Sequence, residues 1–174
     1  ITVSCDLNYR KKLWTRDKAR EVMTKLMPYV DVCISNEEDA FDVFGIKAGG
    51  TDVTKGSLDK EGYKSVAKQL ADKFGFRYVA ITLRTSLSAN DNKWAGMLYD
   101  GKDYCLSKEY TMHIVDRVGG GDSFGGGLIY ALGNGYDSRA AIEFAVAASC
   151  LKHSVEGDYN MVSVAEVTAL AGGD

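Results

Sequence analysis

The sequence lacks any uninterrupted apolar stretch long enough to form a transmembrane helix. It also lacks a basic stripe interleaved with aromatic residues, and its formal net charge is −3, so nothing in it indicates a nucleic-acid-binding surface. No internal repeat, low-complexity tract or interdomain linker is visible. We therefore expect a cytoplasmic protein that binds neither membranes nor nucleic acids.

Cysteine and proline are both scarce. The four cysteines, Cys5, Cys33, Cys105 and Cys150, lie in apolar segments without the spacing of metal ligands. They are predicted to be reduced, buried thiols rather than disulfide partners or metal ligands. Pro28 is the only proline, and it is predicted to mark the end of a helix.

The residues that are present indicate one globular domain. The chain has 174 residues, of which 45% are apolar and 26% charged, enough for a sizeable core. Apolar runs alternate with helical patterns, which predicts an α/β layer fold. The predicted strands are 1–7, 30–34, 78–83, 94–99, 103–106 and 110–115, and the predicted helices begin near residues 15, 36, 57, 122, 138 and 163.

Two connections and both chain ends carry further expectations. Residues 47–56 are predicted to form a loop, and Asp100-Gly101 the turn of a hairpin. Residues 1–5 already have the pattern of a buried strand, and residues 171–174 end without a closing signal. We therefore expect the chain to be a piece of a longer protein.

A run of three glycines, 119–121, is the most specific feature of the sequence. It follows a predicted strand and precedes a predicted helix, with Asp122 at the helix start. Amides at a helix N-terminus are unpaired and carry partial positive charge, and glycine lets them approach a phosphate closely. The alternative is a tight strand-to-helix turn in which Asp122 is only the N-cap.

Asp122 separates these two interpretations. A carboxylate repels phosphate, so it is unusual in a site that only binds phosphate. It suits a general base that removes a proton from a hydroxyl attacking the γ-phosphate of a nucleotide. The glycine amides would then stabilise the negative charge on the transferred group.

Residues 116–124 resemble the second signature of the ribokinase-like (PfkB) sugar kinases, roughly D-T-x-G-A-G-D-x-F. The resemblance implies a ribokinase-like three-layer fold, with a Rossmann-like parallel sheet flanked by helices. It also implies ATP and Mg²⁺ as cofactors and Asp122 as the catalytic base. Asp116 would lie near a monovalent cation such as K⁺. The residues implied to form the anion hole around the ATP phosphates are Gly119, Gly120 and Gly121.

Two positions in this motif depart from the family pattern. Arg117 stands where the family has threonine, and Gly120 where it has alanine. Neither change removes the base or the amides.

Asn36 and Asp39 resemble the family's N-x-x-E segment, which organises Mg²⁺ and phosphate-bound water. The resemblance implies that Asn36 contacts the nucleotide and that Asp39, in place of glutamate, holds Mg²⁺ indirectly through water. Without the resemblance, the same residues are typical of a capped acidic helix start.

Thr82 and Arg84 are predicted at a strand end, where the family has T-L-G near the nucleotide phosphates. Arg84 replaces that glycine. It either pairs with phosphate or is a solvated residue at the end of the strand.

Asp6, Asn8 and Arg10 alternate, so they would share one face if the first strand continued through them. Residues 6–14 resemble the D-x-N-x-R-x-x-L-W stretch of 2-keto-3-deoxygluconate kinases. The resemblance implies that these side chains contact the sugar and that Arg10 binds its carboxylate, which suits a guanidinium. The alternative is an exposed arginine at a strand end.

The region after the last long helix resembles the part of the family that lines the adenine pocket, which implies a nucleotide-binding role for Asn160. Lys152 and His153 lie nearby at the end of an otherwise apolar helix. We expect this pair to be a solvated helix end rather than a catalytic one.

The resemblance covers nearly the whole chain but only the C-terminal, nucleotide-binding and catalytic half of such a kinase. The N-terminal half and its β-sheet lid are absent from the sequence, so we expect little turnover by this chain alone and a homo-oligomer at full length. The favoured function is ATP-dependent phosphorylation of 2-keto-3-deoxygluconate at its terminal hydroxyl. The alternatives are a related fructokinase or ribokinase, and a nucleotide-binding module without catalysis.

Overall fold

The computed structural model describes residues 1–47 and 60–172, except for the side chain of Glu37. Residues 48–56 of the predicted loop, the first residues of the helix predicted from 57, and the last two residues lie outside the described part. Among the described residues, no helix has both the length and the apolarity needed to cross a bilayer. The four cysteines are free, but only Cys33 is fully buried.

The chain alternates between strands and helices, as predicted. The strands are β1 (Ser4–Asp6), β2 (Val32–Ser35), β3 (Tyr78–Ser86), β4 (Asp91–Tyr99), β5 (Tyr104–Leu106) and β6 (Tyr110–His113). The helices are α1 (Arg16–Leu26), α2 (Glu37–Phe44), α3 (Lys60–Phe74), α4 (Gly120–Gly133), α5 (Ser138–Lys152) and α6 (Val164–Gly172), and a 3-10 turn spans Met27–Tyr29.

The six strands form one sheet in the order β1-β2-β3-β4-β5, with β6 also paired to β4. β1, β2 and β3 are parallel, with Cys5 opposite Cys33 and Cys33 opposite Val79. β4 and β6 are antiparallel, with Trp94 opposite Tyr110. The sheet is therefore mixed, and the prediction of a parallel sheet holds only for its first three strands. The short connections after β3 and β4 leave no room for crossover helices.

Two compact units make up the chain. One comprises Ile1–Thr82 and Leu98–Tyr104, and the other Leu83–Met97 and Cys105–Asp174. Strands β3 and β4 each contribute residues to both.

In the first unit, local sequence signals set the helix ends. The Thr15 side chain caps α1 by accepting a hydrogen bond from the Lys18 amide at 3.3 Å. Gly45 ends α2 in the left-handed conformation, with φ at 71°. Leu26, the last residue of α1, is half exposed, whereas Met27, the first residue of the 3-10 turn that contains Pro28, is buried.

The first strand is shorter and more exposed than predicted. It covers three residues, and Ile1 and Val3, expected to be buried, are exposed. It forms the end of the strand order, so only one of its sides pairs with another strand.

In the second unit, α4 and α5 pack closely. A Cβ on Gly127 would lie 3.1 Å from the Cα of Ala145, so glycine there allows the two helices to approach. Phe124, Leu128 and Ile142 are completely buried, and the side chains of Phe124 and Ile142 lie against Gly96 of β4. This packing fixes the start of α4, where the glycine run lies.

Candidate active site

The glycine run begins with Gly119, which forms the N-cap of α4 in the left-handed conformation, with φ at 79°. A Cβ at this position would lie 2.0 Å from the carbonyl oxygen of Asp158. Only glycine fits both the conformation and the contact. The turn into α4 therefore rests directly on the backbone of the loop that follows α5.

Gly120 is packed just as tightly, but against a side chain. Its Cβ would lie 2.5 Å from Cε1 of His153, and its carbonyl accepts a hydrogen bond of 2.8 Å from Oγ of Ser149. The imidazole thus occupies the space that the family's alanine would need. The departure from the family pattern at Gly120 is explained by His153.

Gly121 and Asp122 differ from the two preceding glycines because they are open to solvent. A Cβ on Gly121 would meet no heavy atom within 4 Å. Asp122 is exposed and is the third residue of α4, not its N-cap, because the helix begins two residues earlier than predicted. The alternative in which Asp122 only caps the helix is therefore wrong.

A cavity of about 390 Å³ lies beside Asp122, within the size range of small-molecule sites. Its walls come from α4, α5, α6 and the loop before α6. The residues that line it include Asp122, Tyr130, Phe144, Asp158, Tyr159 and Asn160. Glycine, alanine, valine and aromatic residues make up most of its walls, which suits a ligand with a flat apolar part.

Asn160 lies in this cavity, as its predicted role requires. Its Nδ2 donates to the Ala148 carbonyl at 3.4 Å, and its Oδ1 accepts from the Val162 amide at 3.2 Å. Tyr130 and Phe144 stack at 5.2 Å between ring centroids and form part of the wall. No pattern in the sequence indicated these two rings, although each lies one helical turn from another cavity residue, Tyr130 from Gly126 and Phe144 from Ala148.

Asp116 ties two loops together. One carboxylate oxygen accepts from the Val118 amide and the other from the Gly157 amide, each at 3.0 Å. These two hydrogen bonds lower the pKa of Asp116 below its ordinary value, and the bond from Val118 has the larger effect. The predicted monovalent cation at Asp116 stays a prediction.

Lys152 and His153 were predicted to be solvated, and this is wrong. Lys152 is completely buried and His153 nearly so. Both continue the inward face of α5, three or four residues after the buried Ala148 and Ser149, so helical periodicity could have placed them. Burial is the main cause that lowers the pKa of His153, and its Nδ1 donates to the Ser149 carbonyl at 2.7 Å.

The segment around Arg84 also differs from the prediction. β3 continues to Ser86, so Thr82 and Arg84 lie inside the strand and not at its end. Arg84 is exposed, and its positive charge contributes to the lowered pKa of His153. Arg117 is exposed too and donates a hydrogen bond to the Ala89 carbonyl, in the turn between β3 and β4.

The predicted sugar-contacting residues lie in the first unit, on a turn and not on a strand. β1 ends at Asp6, whose carboxylate accepts a hydrogen bond of 3.1 Å from the Asn8 amide. Asn8 is left-handed, with φ at 39°, so the expected alternation on one strand face is wrong. Arg10 is exposed, and its Nη1 donates to the Tyr9 carbonyl at 3.2 Å.

The turn nevertheless brings predicted residues together. Asn36 is the N-cap of α2 and accepts a hydrogen bond of 2.7 Å from the Asp39 amide, which confirms the capped helix start. Asp39 is 8% exposed, and burial, followed by repulsion from Asp6, raises its pKa to about 6. A hydrogen bond from the Tyr9 backbone and attraction to Arg10 oppose this rise. Asp6, Arg10, Asn36 and Asp39 thus form one polar cluster.

This raised pKa has a consequence for stability. The folded state favours the protonated form of Asp39, so ionisation costs native-state stability as the pH rises from about 4 to about 6. We expect Asp39→Asn to match the unaltered protein near pH 4 and to be more stable by about 2–3 kcal/mol at pH 7. Urea unfolding of both proteins across this pH range measures the difference. A difference independent of pH would contradict the assignment.

No three His, Cys, Asp or Glu residues lie close enough to hold a metal ion within the described ranges 1–47 and 60–172. A Mg²⁺ ion that keeps most of its waters and binds chiefly to nucleotide phosphates needs no such cluster. The carboxyl oxygens of Asp39 are of the type that Mg²⁺ and its bound waters prefer, which fits an indirect role through water.

Comparison with known proteins places these features in a family. The model of the pfkB family of carbohydrate kinases matches residues 2–165. The curated 2-dehydro-3-deoxygalactonokinase of Haloferax volcanii is 31% identical over 177 residues, which cover 99% of this chain and 48% of that protein.

Two solved structures are similar over the same extent. The 2-dehydro-3-deoxygluconokinase of Thermotoga maritima is 48% identical with a TM-score of 0.93, and the match covers 99% of this chain and 50% of that one. A PfkB family carbohydrate kinase of Listeria grayi is 32% identical with a TM-score of 0.85 and the same coverage. The chain spans about half the length of the relatives it matches.

Proposed function

Because this chain belongs to the pfkB family of carbohydrate kinases, we propose that it is the C-terminal, nucleotide-binding and catalytic half of a kinase for 2-keto-3-deoxygluconate. Its fold is ribokinase-like. The observation that carries the proposal is the exposed Asp122, which lies in the first turn of α4 next to the exposed Gly121 and lines the cavity.

The start of α4 supplies both functions that phosphoryl transfer needs. Gly121 is exposed in the first turn of α4, where backbone amides lack helical partners and carry partial positive charge, so this turn can stabilise the charge that develops on a transferred phosphoryl group. Asp122 removes the proton from the terminal hydroxyl of the sugar. The hydroxyl oxygen then bonds to the γ-phosphorus of ATP, and the bond from that phosphorus to ADP breaks.

The cavity beside Asp122 is proposed to hold the nucleotide. Its aromatic and aliphatic walls suit the adenine, and Asn160 is placed to contact the base or ribose. Mg²⁺ would enter with the ATP phosphates and neutralise part of their charge. Asn36 and Asp39 are proposed to hold its water shell, and Thr82 and Arg84 to contact the phosphates.

The choice of an acid sugar rests on Arg10 and on the relatives. The names of the relatives from Thermotoga maritima and Haloferax volcanii both denote kinases of 2-dehydro-3-deoxy sugar acids, a synonym of 2-keto-3-deoxy. The exposed guanidinium of Arg10 can bind a carboxylate with two parallel hydrogen bonds. Asp6 and Asn8 on the same turn are proposed to contact the sugar hydroxyls.

Replacing Arg10 by alanine in the full-length form tests this choice. We expect KM for 2-keto-3-deoxygluconate to rise by about ten- to a hundredfold, the value of a charge-assisted hydrogen bond, with kcat changed much less. Lys12→Ala, which removes the same charge from the same exposed turn, is the control and should leave KM nearly unchanged.

Two outcomes would contradict the choice. If KM for the acid sugar is the same in Arg10→Ala and in the control, Arg10 does not bind the carboxylate. If fructose or ribose is phosphorylated more efficiently than the acid sugar by the unaltered protein, the substrate is a neutral sugar. Comparing gluconate and galactonate forms of the acid in the same assay distinguishes the two epimers.

A further inference from the structure

Lys152 is the least expected residue of the second unit. It is the last residue of α5 and has no exposed surface. Its Nζ donates a hydrogen bond of 3.0 Å to the carbonyl of Val155. Within the part of the chain that the structure describes, no carboxylate oxygen lies within 4 Å of this Nζ. Removing an ammonium from water is costly unless its surroundings replace the lost solvation.

The surroundings of Lys152 are those of a cation site. The C-terminal end of α5 carries partial negative charge, and the Val155 carbonyl adds a direct ligand. Asp116 contributes a full negative charge at longer range, and its attraction to Lys152 is one of the interactions that lower the pKa of Asp116. An ammonium in this position can therefore supply the positive charge that a bound cation would otherwise supply.

The same residues position the glycine run. The amides of Val115 and Asp116 donate to the His153 carbonyl, at 2.8 and 3.3 Å, and the Gly157 amide donates to Asp116. Gly119 in turn rests on the carbonyl of Asp158. Residues 153–158 therefore support the start of α4, and Lys152 holds this loop from inside through Val155.

We propose that the buried ammonium of Lys152 serves as a built-in monovalent cation, which positions the loops at Asp116 and Val155 and hence the glycine run. Lys152 is a positioning residue, since it does not touch the cavity. The protein accordingly needs no K⁺ at Asp116. The inference builds on the proposed nucleotide site, but melting temperatures test it without any turnover.

The first experiment uses the unaltered protein. Its melting temperature and its affinity for MgATP, measured by calorimetry, should be the same in KCl, NaCl and choline chloride at about 100 mM, apart from general screening. A stabilisation or a tighter binding that is specific to K⁺ would overturn the proposal, because it would show that a bound ion occupies the site.

The second experiment uses two variants that differ in the space they leave. Lys152→Met fills the site without a charge. It should lower the melting temperature in every salt, and it should lower the MgATP affinity by about tenfold in every salt. Lys152→Ala leaves a cavity next to the Val155 carbonyl, and KCl or NH₄Cl should restore part of both losses where choline chloride does not. Lys108→Met is the control, because exposed Lys108 also donates to a backbone carbonyl, that of Ala171.

Each result decides the question. If KCl or NH₄Cl restores part of the melting temperature and MgATP affinity of Lys152→Ala, the proposal is supported. This comparison tests the proposal even if Lys152→Met does not fold. Equal melting temperatures of Lys152→Ala in all salts would show that Lys152 only caps α5, and so would an unchanged MgATP affinity in folded Lys152→Met. If the unaltered protein does not bind MgATP at all, the proposed function fails, while the melting temperatures still test the role of Lys152.

Discussion

Replacing Asp122 by asparagine is expected to lower kcat by about a hundred- to ten-thousandfold while leaving the affinity for MgATP unchanged or higher. Asparagine keeps the shape of the side chain but cannot accept the proton of the attacking hydroxyl. It also removes a negative charge from the start of α4, where the ATP phosphates are proposed to bind. Catalysis and binding should therefore change in opposite directions.

The measurement is kcat of ADP release in the full-length form together with the Kd of MgATP for both proteins. Asp158→Asn is the matched comparison, because Asp158 is an exposed aspartate at the same cavity. It should change KM for ATP more than kcat. If kcat falls as little in Asp122→Asn as in Asp158→Asn, Asp122 is not the catalytic base. That result would favour a nucleotide-binding module without catalysis.

Replacing Gly119 by alanine is expected to destabilise the chain by about 2–5 kcal/mol and to abolish measurable MgATP binding. The left-handed backbone strains any residue with a Cβ, and the methyl group would lie 2.0 Å from the Asp158 carbonyl oxygen. The methyl carbon is fixed to the backbone of residue 119, and the oxygen belongs to the backbone of Asp158. No side-chain rotation can relieve this contact, so the turn into α4 must move. Urea unfolding and calorimetry measure the two effects.

Gly121→Ala should have the opposite effect on stability. The new methyl group meets nothing within 4 Å in a helical position, which should raise the free energy of unfolding by about 0.5 kcal/mol. MgATP affinity should nevertheless fall by about tenfold, because the methyl group fills the space where a phosphate would approach. Gly133→Ala, also in open space but at the other end of α4, should not reduce the affinity.

Losses of equal size in Gly119→Ala and Gly121→Ala would contradict this distinction. So would an unchanged MgATP affinity in Gly121→Ala, since the phosphates would then lie elsewhere.

Helix ends were predictable because their signals are local. Thr15 and Asn36 cap their helices through their own side chains, and Gly45 adopts a conformation that few other residues tolerate. The glycine run could likewise be assigned to a strand-to-helix turn, because glycines are needed where backbone meets backbone, as at Gly119 and Asp158. Asp122 followed from the chemistry that a carboxylate permits at such a turn.

Other features depend on contacts distant in the sequence. Alternation placed Asp6, Asn8 and Arg10 on a strand, but no pattern shows that Asn8 would turn the chain. The apolar pattern predicts that the strand ends near Arg84, but β3 continues through polar residues to Ser86. The fit of the His153 ring against Gly120 joins residues 33 positions apart, so neither residue predicts the other.

The buried position of Lys152 was predictable in part. Helical periodicity assigns it to the inward face of α5. A lysine at a helix end is usually solvated, however, and this general tendency predicts the opposite. What stabilises the charge there, the Val155 carbonyl and Asp116, is brought together only by the fold.

The most direct test is the stoichiometry of ADP release with 2-keto-3-deoxygluconate, ATP and Mg²⁺, in the full-length form and in this 174-residue chain. We predict that the full-length form releases one ADP for each sugar phosphate formed, as detected by phosphorus NMR, and that this chain alone shows little or no turnover. ADP release that does not depend on the sugar acid, or that yields inorganic phosphate alone, would contradict phosphoryl transfer at Asp122.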